Sequence, residues 1–196
     1  MKKLLFLFLA LILFACSKDD GDQQAFQEQE EFYDLITGTY RMRAATTDEP
    51  IDLNGDGIPH TDLYKEVVYC NFSLILDSFD CHFTHKLSYN GSFYNGSDFR
   101  IPTSEYAQPE SEQIPSSCIR DVELPYNYKA DAKTGEVYLV GTDHYIEYAA
   151  GFYVEFLAIH WENKRVFLKL RKRFRLPSGD TKWVILHLEY KKMSDY

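Results

Sequence analysis

The densest set of oxygen ligands in this 196-residue chain is the run Asp52-Leu53-Asn54-Gly55-Asp56-Gly57. Side-chain oxygens at positions one, three and five, with glycine at six, allow a loop to wrap a calcium ion. Ile58 would add its carbonyl at position seven, and His60 stands at nine. Calcium takes about six to eight oxygens, usually including a bidentate acid at position twelve. Leu63 occupies that place, and the acid Asp62 comes one residue early. The candidate ligands are therefore Asp52, Asn54, Asp56, Ile58 and Asp62, with calcium as the cofactor they would hold. Asn-Gly and Asp-Gly are also ordinary turn formers, so a metal-free turn rich in Asx bonds is the simpler reading. An ion held here would serve structure more readily than catalysis.

Cys81-His82-x-x-His85 also has the residue types of a metal site. On a strand, His82 and His85 point to opposite faces. Cys81 and His85 share a face but stand about 13 Å apart at roughly 3.3 Å per residue, too far for one ion. The remaining histidines, His60, His144, His160 and His187, are scattered. The chain has no G-x-S-x-G elbow, H-E-x-x-H, phosphate loop or G-x-G-x-x-G. Glu110 and Glu112 fall in a polar, proline-rich stretch, where they favour solubility. The expectation is a protein without enzymatic activity. A hydrolase would need a His–acid–nucleophile site assembled only by folding. Tyr89, Phe93 and Tyr94 cluster with Asn90, Asn95 and Ser97 around two turns, the residue types that contact sugars or protein surfaces. Ordinary hairpin packing explains them as well.

The N-terminus points to a compartment. Lys2 and Lys3 precede an unbroken apolar run over residues 4–14, followed by Ala15 and Cys16. A run that short does not span a bilayer, which takes about twenty residues. Charge, short apolar middle and small residue together read as an export signal. Outside the cytoplasm a disulfide is permitted among Cys70, Cys81 and Cys118, leaving one thiol over. Cys70–Cys81 and a longer closure through Cys118 are both open.

Residues 17–31 are acidic and Gln-rich, and read as a flexible tether. A short helix is expected near Phe32, Tyr33, Leu35 and Ile36, before the domain proper. Fifteen Tyr and fourteen Phe favour pleated, half-buried surfaces. Val166, Leu168 and Leu170 alternate with Arg165, Phe167, Lys169 and Arg171; Val184, Leu186, Leu188 and Tyr190 alternate with Trp183, Ile185, His187 and Glu189. Period-two alternation with turns at residues 133–135, 162–164 and 177–180 is the pattern of an antiparallel meander. Strands are also expected over 38–42, 65–76, 81–89, 136–140, 145–148 and 152–161, with residues 102–117 as a long irregular connection. The fold class is all-β, with about eight strands forming an up-and-down barrel or a sandwich.

Charge is uneven. Without Lys2 and Lys3 the chain carries 19 basic and 30 acidic residues, a net of −11, which argues against nucleic-acid partners. The basic run Lys164, Arg165, Lys169, Arg171, Lys172, Arg173 and Arg175 contains no acid. It reads as a solvated strand face, or as a patch for an anionic envelope glycan.

Leu13-Phe14-Ala15-Cys16 resembles the lipobox of bacterial lipoproteins, and Ser17-Lys18-Asp19-Asp20 resembles the surface-export signal of Bacteroidota lipoproteins. The resemblance implies lipidation at Cys16 (a palmitate-type anchor), an outer-membrane location and exposure at the cell surface. Gly38-Thr39-Tyr40, the Asp52–Gly57 run and Thr61-Asp62-Leu63 are similar to motifs of lipocalin-like lipoproteins of that phylum. This implies an antiparallel up-and-down β-barrel of about eight strands that binds a small apolar ligand or a partner. Inward aromatics including Phe152, Phe156 and Trp161 are the candidate contacts. A filled barrel acting through its surface on envelope polymers or protein is the alternative. The expected organisation is a signal peptide over 1–15, lipidated Cys and tether over 16–31, and the barrel over 32–196. Replacing Cys16 by serine should move the protein from the detergent to the aqueous phase in a Triton X-114 partition; retention in detergent would rule out Cys16 as the anchor.

Overall fold

The computed structural model describes residues 19–66, 68–69, 79–89, 92–104, 118–140 and 149–193. The chain divides into two units, 1–35 and 36–196. In the first, helix α1 runs Asp19–Ile36, ending just inside the second unit. The stretch expected to be a flexible tether is therefore helical from Asp19 onward. Two physical features explain this. Acids at Asp19, Asp20 and Asp22 favour the positive end of the helix, and Glu and Gln are good helix formers. Gln24 Nε2 donates to Glu28 Oε1 at 3.0 Å, one turn on.

The second unit is built from ten strands: β1 Gly38–Ile51, β2 His60–Asp62, β3 Val68–Tyr69, β4 Asp80–Tyr89, β5 Ser92–Thr103, β6 Cys118–Ala130, β7 Val137–Val140, β8 Val154–Glu162, β9 Arg165–Arg175 and β10 Thr181–Lys192. Eight of them form an up-and-down antiparallel barrel. Each pairs with the next in the series β1, β4, β5, β6, β7, and in the series β8, β9, β10, while β10 returns to pair with β1. Short β2 pairs with β1 and β3 runs parallel to β6, both off the meander. The ring is nearly closed between β7 and β8, where the described residues form one bridge, Glu136 to His160, with Trp161 N donating to Gly135 O at 2.7 Å. Gly135 has φ +72°, and a Cβ there would run into the carbonyl oxygen of Trp161. A side chain at this position would push the two strands apart.

Alternation fills the interior. Val166, Leu168, Leu170 and Phe174 of β9 and Val184, Leu186, Leu188 and Tyr190 of β10 are buried, as their spacing predicts. Strand β6 repeats the pattern with Val122, Leu124, Tyr126, Tyr128 and Ala130. Pro102 and Pro125 are accommodated because each lies where one ladder has stopped. Among the described residues, Pro102 pairs only toward β6, beyond the last β4 partner at Phe99, and Pro125 pairs only toward β5, beyond the last β7 partner at Asn127. The hairpin between β8 and β9 turns through Asn163 and Lys164 at φ 51° and 61°, the two left-handed residues a tight hairpin requires. Of the expected strands, 145–148 lies outside the described residues. The strand expected over 65–76 is a 3-10 turn, Leu63–Lys65, followed by the two-residue β3, as far as it is described.

One half of the interior is packed with rings. Phe83 meets Tyr40, Phe99 and Tyr128 edge to face, at centroid distances of 5.8, 5.6 and 5.0 Å. Tyr40 OH donates to Ile36 O and accepts from Trp161 Nε1 at 2.9 Å, so a polar group at the centre is satisfied on both sides. Phe99→Ala should destabilise the barrel by about 3–5 kcal/mol, read from the urea midpoint, whereas Leu157→Ala on the outer face should stay within about 0.5 kcal/mol.

Candidate functional site

The packed half ends at Phe156. Its ring lies 5.5 Å from Phe99 on one side and 5.2 Å from Tyr126 on the other. Beyond it opens a cavity of about 490 Å³, lined by Tyr126, Leu139, Val154, Phe156, Tyr153 and Trp183 together with Ala149, Ala150 and Glu155. This volume falls in the range of small-molecule sites, about 300–1,000 Å³. Its position follows from the closure of the ring. Past the Glu136–His160 bridge, β7 and β8 exchange no further bridge among the described residues, and Leu139 and Phe156 both border the cavity. Burial pushes the Tyr126 phenol up to about 12, so this wall stays neutral in ordinary solution. At the mouth, Tyr153 holds φ 56°, a left-handed conformation costly for an aromatic residue.

Phe156 alone of the three expected ligand contacts lines this cavity. Trp161 is committed to Tyr40 in the packed half, and Phe152 contributes its carbonyl to Lys172. The aromatics Tyr126, Tyr153 and Trp183 were missed. Tyr126 carried a signal, the apolar alternation through β6; Tyr153 and Trp183 carried none, because their role depends on how strand ends meet.

The basic run of β9 is split by the pleat. Lys172 is fully buried, donating to the carbonyls of Phe152 at 2.9 Å and Arg173 at 2.6 Å. It is therefore not part of an exposed patch. Arg165 pairs with Glu189 at 2.7 Å and Arg171 with Glu155 at 3.7 Å.

The Asp52 loop is held by its own hydrogen bonds. Asp52 accepts from Gly55 N at 2.7 Å and Gly57 N at 3.0 Å; Asn54 Oδ1 accepts from Asp56 N, and Asp56 Oδ1 from Ile58 N. Asp62 turns to cap the 3-10 turn through Tyr64 N, and Ile58 is exposed. Among the described residues no three His, Cys, Asp or Glu side chains converge as a metal centre would need. The residue that organises the loop is Glu66. It is fully buried and accepts from Leu53 N at 2.8 Å, His60 N at 3.0 Å and His60 Nδ1 at 2.6 Å.

Cys81 is a free thiol, buried inside β4, so a disulfide through it is corrected. Its inward position sets it among apolar side chains, and burial, then Asp98 and Asp80, push its pKa well up. Cys70 lies outside the described residues, as does the side chain of Cys118. Asn90 and Gly91 are likewise outside them, as are the side chains of Tyr89 and Phe93. On the opposite face of the same strand, Thr39 Oγ1 meets His82 Nδ1 at 3.0 Å, and His82 Nε2 meets Asp80 at 3.3 Å and Asp98 at 4.0 Å. Burial lifts the Asp98 carboxyl, opposed by His82. Arg100 ties Asp80 to Glu123 in the same network. This is the nearest approach to a nucleophile–base–acid series, but its side chains do not line the cavity.

Comparison with protein families, curated proteins and solved structures finds no match to this chain.

Glu66→Ala should lower stability by about 3 kcal/mol, because it leaves several buried donors without an acceptor. Thermal unfolding measures this, and a shift no larger than that of a surface variant would deny Glu66 its role.

Proposed function

We propose that this chain is a non-enzymatic binding module of the cell envelope, tethered to the outer membrane by lipid on Cys16 and facing the cell surface. Its barrel holds a small apolar ligand. The observation that carries this reading is the cavity beyond Phe156, whose wall joins Tyr126, Leu139 and Val154 around a space large enough for one small molecule. A concave apolar site with few polar groups suits recognition by shape and burial, at about 25 cal/mol per Å² of apolar surface removed from water. The lipobox-like segment and the acidic residues after Cys16 support the location. The Asp52 loop is assigned a structural part, with calcium as the ion it would take.

A second reading has its own support. The edge-to-face cluster of Tyr40, Phe83, Phe99 and Tyr128 packs the interior where it lies, as a domain acting only through its surface on envelope polymers or protein would require throughout. In the third and weakest reading, Thr39, His82 and Asp80 serve a hydrolase.

Native mass spectrometry of the purified protein, with and without EDTA, separates these. An adduct of a few hundred daltons that is lost in a Phe156→Trp variant is the expected outcome. A clean mass in every condition would leave the barrel as a surface-acting domain. A calcium adduct removed by EDTA would assign the ion to the loop.

A further inference from the structure

A trough on the outer face of the barrel shares no lining residue with the cavity beyond Phe156. It crosses the adjacent strands β1, β10, β9 and β8 and encloses about 260 Å³. Strand register lays two outward rows across it. One runs Ala44, Glu189, Phe167, His160; the other runs Thr46, His187, Lys169, Ala158. Each alanine follows a β-bulge, one between Met42 and Ala44 in β1 and one between Phe156 and Ala158 in β8. Bulges sharpen the local twist and re-aim side chains. The short alanine side chains leave room beside the longer ones of β9 and β10. Leu168 and Leu188 also line the trough, and because their side chains are buried they offer it main chain as a floor.

The polar groups on this face are unequally engaged. Glu189 accepts from Arg165 at 2.7 Å, Glu162 lies 3.9 Å from His160, and Glu155 lies 3.7 Å from Arg171. At the β1 margin, Asp48 accepts from Ile185 N at 2.8 Å and Asp62 from Tyr64 N at 3.0 Å. Lys169 and His187 are exposed and stand directly opposite each other. Among the described residues neither side chain has a hydrogen-bond or ion-pair partner. Thr46 is the neighbour of His187 on its other side. Hydroxyl, imidazole and ammonium thus follow one another across three strands, about 5 Å apart from strand to strand, with no carboxylate in their row. A lysine directly opposite a ring that can take up a proton is an unfavourable pair unless an anion lies across them. All four strands, and the turns joining β8 to β9 and β9 to β10, are among the described residues with their side chains. The undescribed acid nearest in sequence to this row is Asp195, eight positions past His187.

We propose that this trough is an oxyanion site. A phosphate or carboxylate accepts from Lys169 Nζ, from a ring N–H of His187 and from the Thr46 hydroxyl. The body that carries the anion lies over Phe167, whose ring stacks with that of His160 at 6.5 Å. Hydrogen bonds to an ionised acceptor are about twice as strong as neutral ones, so a site this open still holds an oxyanion in preference to an alcohol. The proposal stands apart from the cavity beyond Phe156 and from whatever that cavity takes.

The test uses the Cys16→Ser protein, so that no anchor contributes, and two probes that share a ring and differ in charge, phenyl phosphate and phenol. In calorimetric titration phenyl phosphate should bind about ten-fold tighter than phenol. In Lys169→Gln/His187→Gln the preference should fall to about two-fold or less, with the thermal midpoint unchanged. Lys169→Arg, which keeps the charge, should retain it. Phe156→Trp should also retain it, because the anion sits outside the barrel. Failure of phenyl phosphate to bind, equal affinity of the two probes, or a preference that survives in the double variant overturns the proposal. So does a preference lost in Phe156→Trp, which would place the anion in the inner cavity. Sedimentation with phosphatidylglycerol vesicles separates the sources of the oxyanion. Binding to vesicles that the double variant loses makes a lipid head group the source; any other result makes it a free molecule, and the site itself stands or falls on the phenyl phosphate preference.

Discussion

A sheet that curls on itself must bring its two edges together, and among the described residues of this barrel the bridged meeting falls at one place. Gly135 and Glu136 meet His160 and Trp161, and the approach is so close that only a residue without a Cβ fits at 135. On one side of that contact the interior is sealed and ring packs against ring. On the other side lies the cavity bordered by Tyr126, Leu139 and Phe156. Packed core and cavity meet at Phe156, whose ring contacts Phe99 and Tyr126 and also lines the cavity.

The same geometry separates polar groups by function. In the sealed half they are satisfied internally, as Tyr40 is by Ile36 and Trp161. Near the opening, Lys172 uses backbone carbonyls to stay buried, while the arginines beside it on the outer face stack on aromatic rings. Alternation along a single strand, β9, therefore turns one basic run into a buried cation flanked by two outward-facing arginines.

The architecture was legible wherever strands had one wet face. Strands β9 and β10 follow their apolar alternation to the residue. Strand β6 was overlooked although Val122, Leu124, Tyr126, Tyr128 and Ala130 alternate just as well, because Pro125 and the charges at 120, 121 and 123 masked the period. The helix over 19–36 was legible only at its C-terminal end, since its first half is polar apart from Ala25 and Phe26 and has no apolar stripe. The cavity was scarcely legible. Phe156 follows from an apolar strand, but Tyr153 and Trp183 acquire their place from the ends of two different strands. Glu66 could not be singled out either: its partners, Leu53 and His60, are backbone and ring groups across a loop, and no spacing rule announces them.

The pairing of β1 with β10 also orders events in time. Tyr40 lies opposite Lys192, so the first strand of the barrel finds its second neighbour only when nearly the last residue is present. Hairpins β4–β5 and β8–β10 are local and can form early, but the ring has no edge-free state until both termini of the domain are in one place. Contacts this distant in sequence slow folding, because chain closure must be completed before its rewards arrive.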